Sequence, residues 1–177
     1  MFIENPPGTD LSPLPLLLVS CTGTSEAYKK ENIISIAWAG IINSEPPMLS
    51  ISIRKPRFSH TQIMESMEFV AHPVTEALVE ACNYCGTKSG YQVDKFTDCG
   101  LKATPVSALS HAKAIAGAPL ALACKVTQVI ELPTHDVFFA EIVQTLVEES
   151  FGDANGTLDL DRAKLMAFTS KGYRRID

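Results

Sequence analysis

The clearest pattern in the chain is the run Leu49-Ser-Ile-Ser-Ile-Arg54, in which Leu49, Ile51 and Ile53 alternate with Ser50, Ser52 and Arg54. A period of two predicts a strand with one face buried. Pro56 stops that ladder, since proline has no N–H to donate. Upstream, residues 15–22 read as a strand, residues 23–32 as a polar connection, and Ile33, Ile34, Ile36, Trp38 and Ile41 as a second strand. Asn43-Ser-Glu-Pro-Pro47 breaks this run, so the second strand and the Leu49 strand are expected to form an antiparallel hairpin. Ser59 and Gln62 stand at capping-box spacing, which predicts a short helix from near His60 to near Met67. Residues 69–72 follow as a brief strand. Val74, Leu78, Val79, Ala81 and Cys82 recur at helical spacing between Pro73 and Gly86, predicting a helix over 74–85.

Residues 87–100 are polar and punctuated by glycine, with one helical turn expected around 94–97. A loop of that length in a compact domain usually has a task. Two long β-rich runs, 120–132 and 137–147, flank Pro133-Thr-His-Asp136, which has the chemistry of a hairpin turn. Residues 151–156 form a turn, 158–166 include a short helix, and 167–173 make a tail without a predicted structure. Antiparallel strands with two or three helices, and no βαβ alternation, predict a mainly β fold with peripheral helices, a closed or partly open barrel.

Composition narrows this picture. The chain has 177 residues, 46% apolar and 20% charged, with a formal net charge of −5. One domain spanning 1–177 is expected, of ordinary globular character and without the basic surface of a nucleic-acid binder. No apolar run approaches the roughly 20 residues that cross a bilayer. The first residues lack a signal-peptide layout, so the expectation is a cytoplasmic protein. Five cysteines without regular spacing suit free thiols in a reducing compartment. Cys82 and Cys85 form a C-x-x-C near the end of the predicted helix, where the dipole disfavours a thiolate. Cys99 and His72 could join them around a metal, but no second C-x-x-C completes a zinc site, and no metal is expected.

Nucleophile-elbow, P-loop and dinucleotide glycine motifs are missing. Asp153-Ala-Asn-Gly-Thr-Leu-Asp159 starts like a calcium loop, but places Leu158 where glycine belongs and Lys164 where the closing glutamate belongs. The basic turn Arg54-Lys-Pro-Arg57 faces a predicted helix start, a combination that can seat one phosphate. The same residues would equally serve as surface charges on a solvated loop. From residue type alone, Trp38 and Phe168 read as core and His135 as a solvated turn residue.

Taken together, the chain resembles the flavin reductase-like family with the FMN-binding split-barrel fold, most closely its flavoredoxin-type members. The carriers are Pro15-Leu-Leu-Leu-Val-Ser20, Asn32-Ile-Ile-Ser-Ile-Ala-Trp38, Arg54-Lys-Pro-Arg-Phe-Ser-His-Thr61, Glu68-Phe-Val70, Cys85-Gly-Thr-Lys-Ser-Gly90 with Asp94-Lys-Phe96, Leu122-Ala-Cys-Lys-Val126 and His135-Asp-Val-Phe-Phe139. The resemblance implies an antiparallel Greek-key split β-barrel that holds FMN noncovalently. Arg54, Lys55, Ser59, His60 and Thr61 match the phosphate turn, with Ser35, Ala37 and Ser52 on neighbouring strands and Ser89 in the glycine-rich loop. Trp38, Ser59, Lys95, His135 and Phe168 match positions around the isoalloxazine ring, where Lys95 and His135 would tune the flavin potential. The implied activity is that of an oxidoreductase passing electrons from NADH, NADPH or a protein donor to an acceptor such as free flavin or ferric chelate. An electron carrier served only by protein partners is the alternative, and a cofactor-free dimeric scaffold is a third reading. Relatives are homodimers with the flavin near the subunit interface, so a homodimer is implied. The chain departs from the family's glycine-tyrosine-tyrosine pattern at Gly172-Tyr-Arg-Arg175, which leaves the C-terminal contact open.

Overall fold

The computed structural model describes residues 1–176. Seven antiparallel strands form the main sheet: β2 (Leu17–Cys21), β3 (Asn32–Ile36), β4 (Ala39–Ser44), β5 (Pro47–Arg54), β6 (Glu68–Pro73), β9 (Leu120–Glu131) and β10 (His135–Val147), in the order β3-β2-β6-β9-β10-β5-β4. Alternate residues of six of these strands point to one interior, among them Val19, Ile34, Ile51, Phe69, Cys124 and Phe138. Because β3 and β5 share that interior although they stand far apart in the strand order, the sheet curls on itself as a split barrel. The alternation of Leu49, Ile51 and Ile53 along β5 is the period-two pattern of its sequence, with the intervening residues half-exposed.

Elements outside the barrel cover the second faces of β2 and β3. Leu16, Leu18 and Ile33 pack against Val74, Cys82 and Cys85 of the 74–87 segment and against Phe96. This is why every residue of β2 is buried, Ser20 included. The helices are α1 (Phe58–Ser66), α2 (Val79–Thr87), α3 (Lys95–Asp98) and α4 (Leu160–Ala163). Two small pairings complete the fold, β7 (Ala103–Thr104) with β8 (Ala114–Ile115), and β1 (Leu14–Pro15) with the hairpin of β11 (Met166–Thr169) and β12 (Gly172–Arg175). Among the described residues no helix is long and apolar enough to cross a membrane.

Several sequence expectations need correction. The strand expected over 33–41 is two strands, interrupted at Ala37 and Trp38, and only β4 makes the hairpin with β5. The helix expected over 74–85 begins as a 3-10 turn at Glu76–Leu78 and becomes α-helical at Val79, so Cys82 lies in its first half. All five cysteines carry free thiols, and burial pushes that of Cys85 up to about 12. The capping box at Ser59 and Gln62 does not form: α1 starts at Phe58 with Arg57 at its N-cap and no side-chain cap. Gln62 is fully buried and donates instead to the carbonyls of Tyr28 and Lys30, at 2.8 and 2.7 Å. The tail is ordered as β11 and β12 because it pairs with Leu14 and Pro15 at the opposite end of the chain.

Candidate functional site

The interruption between β3 and β4 creates the site. Ala39 N–H bonds back to the Ala37 carbonyl at 3.2 Å, and Ser52 N–H donates to the Trp38 carbonyl at 2.9 Å, so the chain turns a corner while staying tied to β5. The corner leaves Trp38 41% exposed, with its indole against the His135 ring at 4.7 Å and 33°. His135 opens β10 and stands opposite Arg54 in the β5–β10 register. Burial and then the Arg54 charge lower the His135 pKa, which favours a neutral ring in this stack.

A cavity of about 560 Å³ lies against this corner, within the size range of small-molecule sites. Of the residues singled out in sequence, Ser35, Ala37, Trp38, Ser52, Arg54, His135 and Phe168 line it. Ser35 does so while its hydroxyl donates to the Cys82 carbonyl. Arg57 also lines the cavity, together with Thr9, Asp10, Leu11 and Leu14 of the lead-in. Arg57 was visible as a third cation of the basic turn, whereas residues 9–14 carry no sequence signal for such a role.

The turn preceding α1 is closed by Arg57 N–H donating to the Arg54 carbonyl and by His60 N–H donating to that of Arg57, each at 3.0 Å. It presents the uncapped start of α1, where backbone N–H groups lack helical acceptors. Among the described residues, neither the Arg54 nor the Arg57 guanidinium makes a hydrogen bond or ion pair to the protein. Two cations without a partner among the described residues thus stand beside a bare helix start on the cavity lining, an arrangement that can hold an anion.

The remaining residues expected at the site stand outside the cavity lining. Lys55 is drawn to Asp136 and Glu131, at 3.3 and 3.7 Å, and His60 Nε2 donates to Asp136 at 2.7 Å. Ser59 is buried and its hydroxyl oxygen accepts from Asn32 Nδ2 at 2.7 Å. Thr61 contacts the Tyr91 hydroxyl, and the Ser89 hydroxyl oxygen accepts from Tyr91 N–H at 3.3 Å. The Ser89 loop packs on the start of α1: a Cβ on Gly90 would stand 2.7 Å from the Phe58 ring and 2.9 Å from Asn32 Oδ1.

Lys95 differs most from its expected place. It is 3% exposed and its ammonium donates to the carbonyls of Ile33 and Cys85, at 2.7 and 2.8 Å. Cys85 lies in the last turn of α2, where carbonyls lack helical donors, so this lysine ties α2 and α3 to strand β3 of the barrel wall. Burial lowers its pKa. In this structure its ammonium is engaged by these two carbonyls, and Lys95 does not line the cavity.

Comparison with known proteins agrees with this architecture. A model of the flavin reductase like domain matches residues 10–177. The flavoredoxin of Desulfovibrio vulgaris (Miyazaki F) superposes with a TM-score of 0.90 at 29% identity, covering 100% of this chain and 94% of that one. An FMN-binding protein from Thermus thermophilus shares the fold, with a TM-score of 0.78 at 22% identity over 99% of this chain and 94% of its own. An uncharacterized protein of Aquifex aeolicus is 26% identical over 159 residues, 84% of this chain and 80% of its own length. With the barrel and its cavity as described, the chain belongs to the flavin reductase-like family, as a flavoprotein of the split-barrel fold.

Proposed function

We propose that the cavity binds FMN noncovalently and that the protein is an FMN-dependent oxidoreductase of the flavin reductase type. The observation that carries this reading is the pair of guanidiniums, Arg54 and Arg57, without a partner among the described residues, at the uncapped start of α1 and on the same cavity as the Trp38–His135 stack. The residues present fit the group: one seat for one phosphate, and a flat aromatic wall beside it. A single seat favours FMN over FAD, whose second phosphate would need further donors. Bound FMN supplies the two-electron redox chemistry. Arg54 and Arg57 hold the phosphate, the N–H groups of α1 add their dipole, and a neutral His135 keeps the wall uncharged. No side chain needs to act covalently. Electrons come from NADH or NADPH and leave to a small acceptor such as free flavin or ferric chelate.

The same reading extends to a homodimer. β4 is an edge of the sheet, and it exposes Ile41 at 66% and Ile42 at 43% beside Trp38. Exposed apolar edges of this kind are normally covered. A second copy is the covering surface we infer, and light scattering reporting a monomer would remove it.

The 29% identity to a flavoredoxin favours a second reading, an electron carrier reduced and oxidised by protein partners alone. One assay separates the two. Purified protein loaded with FMN should oxidise NADH or NADPH steadily when free flavin or ferric chelate is added. Reduction only by a partner protein would assign the carrier role, and a colourless protein that takes up no FMN would overturn both.

A further inference from the structure

Asp136, the second residue of β10, is 3% exposed. A carboxylate buried to that degree has to be paired. Its Oδ2 accepts from His60 Nε2 at 2.7 Å, and its Oδ1 faces the Lys55 ammonium at 3.3 Å. Lys55 lies inside the Arg54–Arg57 turn, and His60 lies in the first turn of α1. One anion thus grips the turn from both flanks. The grip is reinforced from the same hairpin, since Lys55 also reaches Glu131 at the end of β9, at 3.7 Å, and the His60 ring packs edge-on against Phe138 of β10, at 5.4 Å and 72°. The β5–β10 register pairs Asp136 with Ile53 and His135 with Arg54, so the strand that grips the turn also carries half of the aromatic wall.

We propose that Asp136 is a positioning residue for the anion seat: through Lys55 and His60 it holds the Arg54–Arg57 turn and the start of α1 in their receiving geometry before any ligand arrives. This rests on the reading of that turn as a phosphate seat. Without Asp136, the turn is held mainly by its own backbone bonds, and a ligand would have to order it on binding, which weakens affinity. A purely electrostatic role gives the opposite sign. Removing an anion beside two cations would make the region more positive and tighten phosphate binding.

The test uses Asp136→Ala and Asp136→Asn in the full chain. Asparagine keeps the size and a hydrogen-bond partner for His60 while losing the charge that faces Lys55, so it serves where the alanine variant fails to fold. Hydrogen exchange of the Arg57 and His60 amides, measured without added flavin, should rise about tenfold in Asp136→Ala and less in Asp136→Asn, with the amides of β2 unchanged as the internal reference. The FMN dissociation constant should rise about tenfold while that for riboflavin rises less than about threefold. Unchanged exchange at Arg57 and His60, equal loss of both flavins, or tighter FMN binding would each overturn the proposal. A wild-type protein that binds FMN and riboflavin equally would instead overturn the phosphate seat, and the exchange rates would still decide whether Asp136 holds the turn.

Discussion

Two sets of polar residues flank the start of α1, and they differ in what they touch. Arg54 and Arg57 line a cavity without partners among the described residues, whereas Ser59, Gln62 and Lys95 are buried with their polar atoms engaged by Asn32, Tyr28, Lys30, Ile33 and Cys85. The first set can lose nothing to the fold by turning to a ligand. The second is already committed, because a buried donor or acceptor left unmade is expensive. Residue type therefore does not separate binding groups from scaffold groups here; the presence of a protein partner does.

The largest expected effect comes from emptying the first set. Arg54→Ala with Arg57→Ala should weaken FMN binding by about a hundredfold or more, taking roughly 1.5 to 3 kcal/mol for each charge-assisted phosphate contact, while riboflavin binding and thermal stability change little. Titration by fluorescence quenching reads this, and equal loss for the two flavins would dissolve the distinction between the sets.

Acid should act on the scaffold. His72 is fully buried, sits between the Leu120 carbonyl at 3.0 Å and Ile115 N–H at 3.2 Å, and burial lowers its pKa from 6.5 to about 4. Below pH 6.5 the unfolded chain takes up a proton that the folded chain refuses until about pH 4. Stability should accordingly be flat above 6.5 on account of this group and fall by roughly 3 kcal/mol between 6.5 and 4. Urea denaturation across that window checks it, and His72→Gln should flatten the slope.

Lys95→Met, which orphans two carbonyls, should lower stability by roughly 2 kcal/mol and leave FMN affinity within about threefold. The opposite pattern, weaker FMN binding at unchanged stability, would move Lys95 from the second set to the first. The smallest effect belongs to Phe168, which is 37% exposed at the cavity edge. Phe168→Ala should weaken FMN and riboflavin alike by about fivefold, equivalent to the roughly 1 kcal/mol of an aromatic contact, with no change in melting temperature.

What could be read from the sequence follows the range of the forces involved. β5, β9 and β10 were legible because their alternation is local and is satisfied by burial on one side. The capping box failed because Gln62 had a stronger use at long range, closing the loop that carries Tyr28 and Lys30. The β3–β4 corner falls at Ala37 and Trp38, ahead of Gly40, which itself pairs within β4, so a run of β-formers looked continuous through Trp38. The β11–β12 hairpin depends on β1, nearly a chain length away. At the site, the basic turn was legible from residue type, while Trp38 and His135, which share its cavity, were singled out only by family resemblance. The inward aim of Ser59 and Lys95 was not, since nothing in Asp94-Lys-Phe96 shows that its lysine finds the end of α2.

The pairing of β5 with β10 also sets a timetable. His60 and its partner Asp136 are 76 residues apart, and every residue between them must be synthesised before the turn can be gripped. At about 5 to 20 residues per second, the ribosome separates the two halves of the site by several seconds, and antiparallel partners this distant pair slowly even afterwards. A nascent chain stalled ahead of His135 would hold Arg54, Arg57 and Trp38 without the strand that completes their wall. On the function proposed above, cofactor loading is therefore expected only after β10 has left the exit tunnel, and a stalled chain that ends ahead of His135 should take up no FMN.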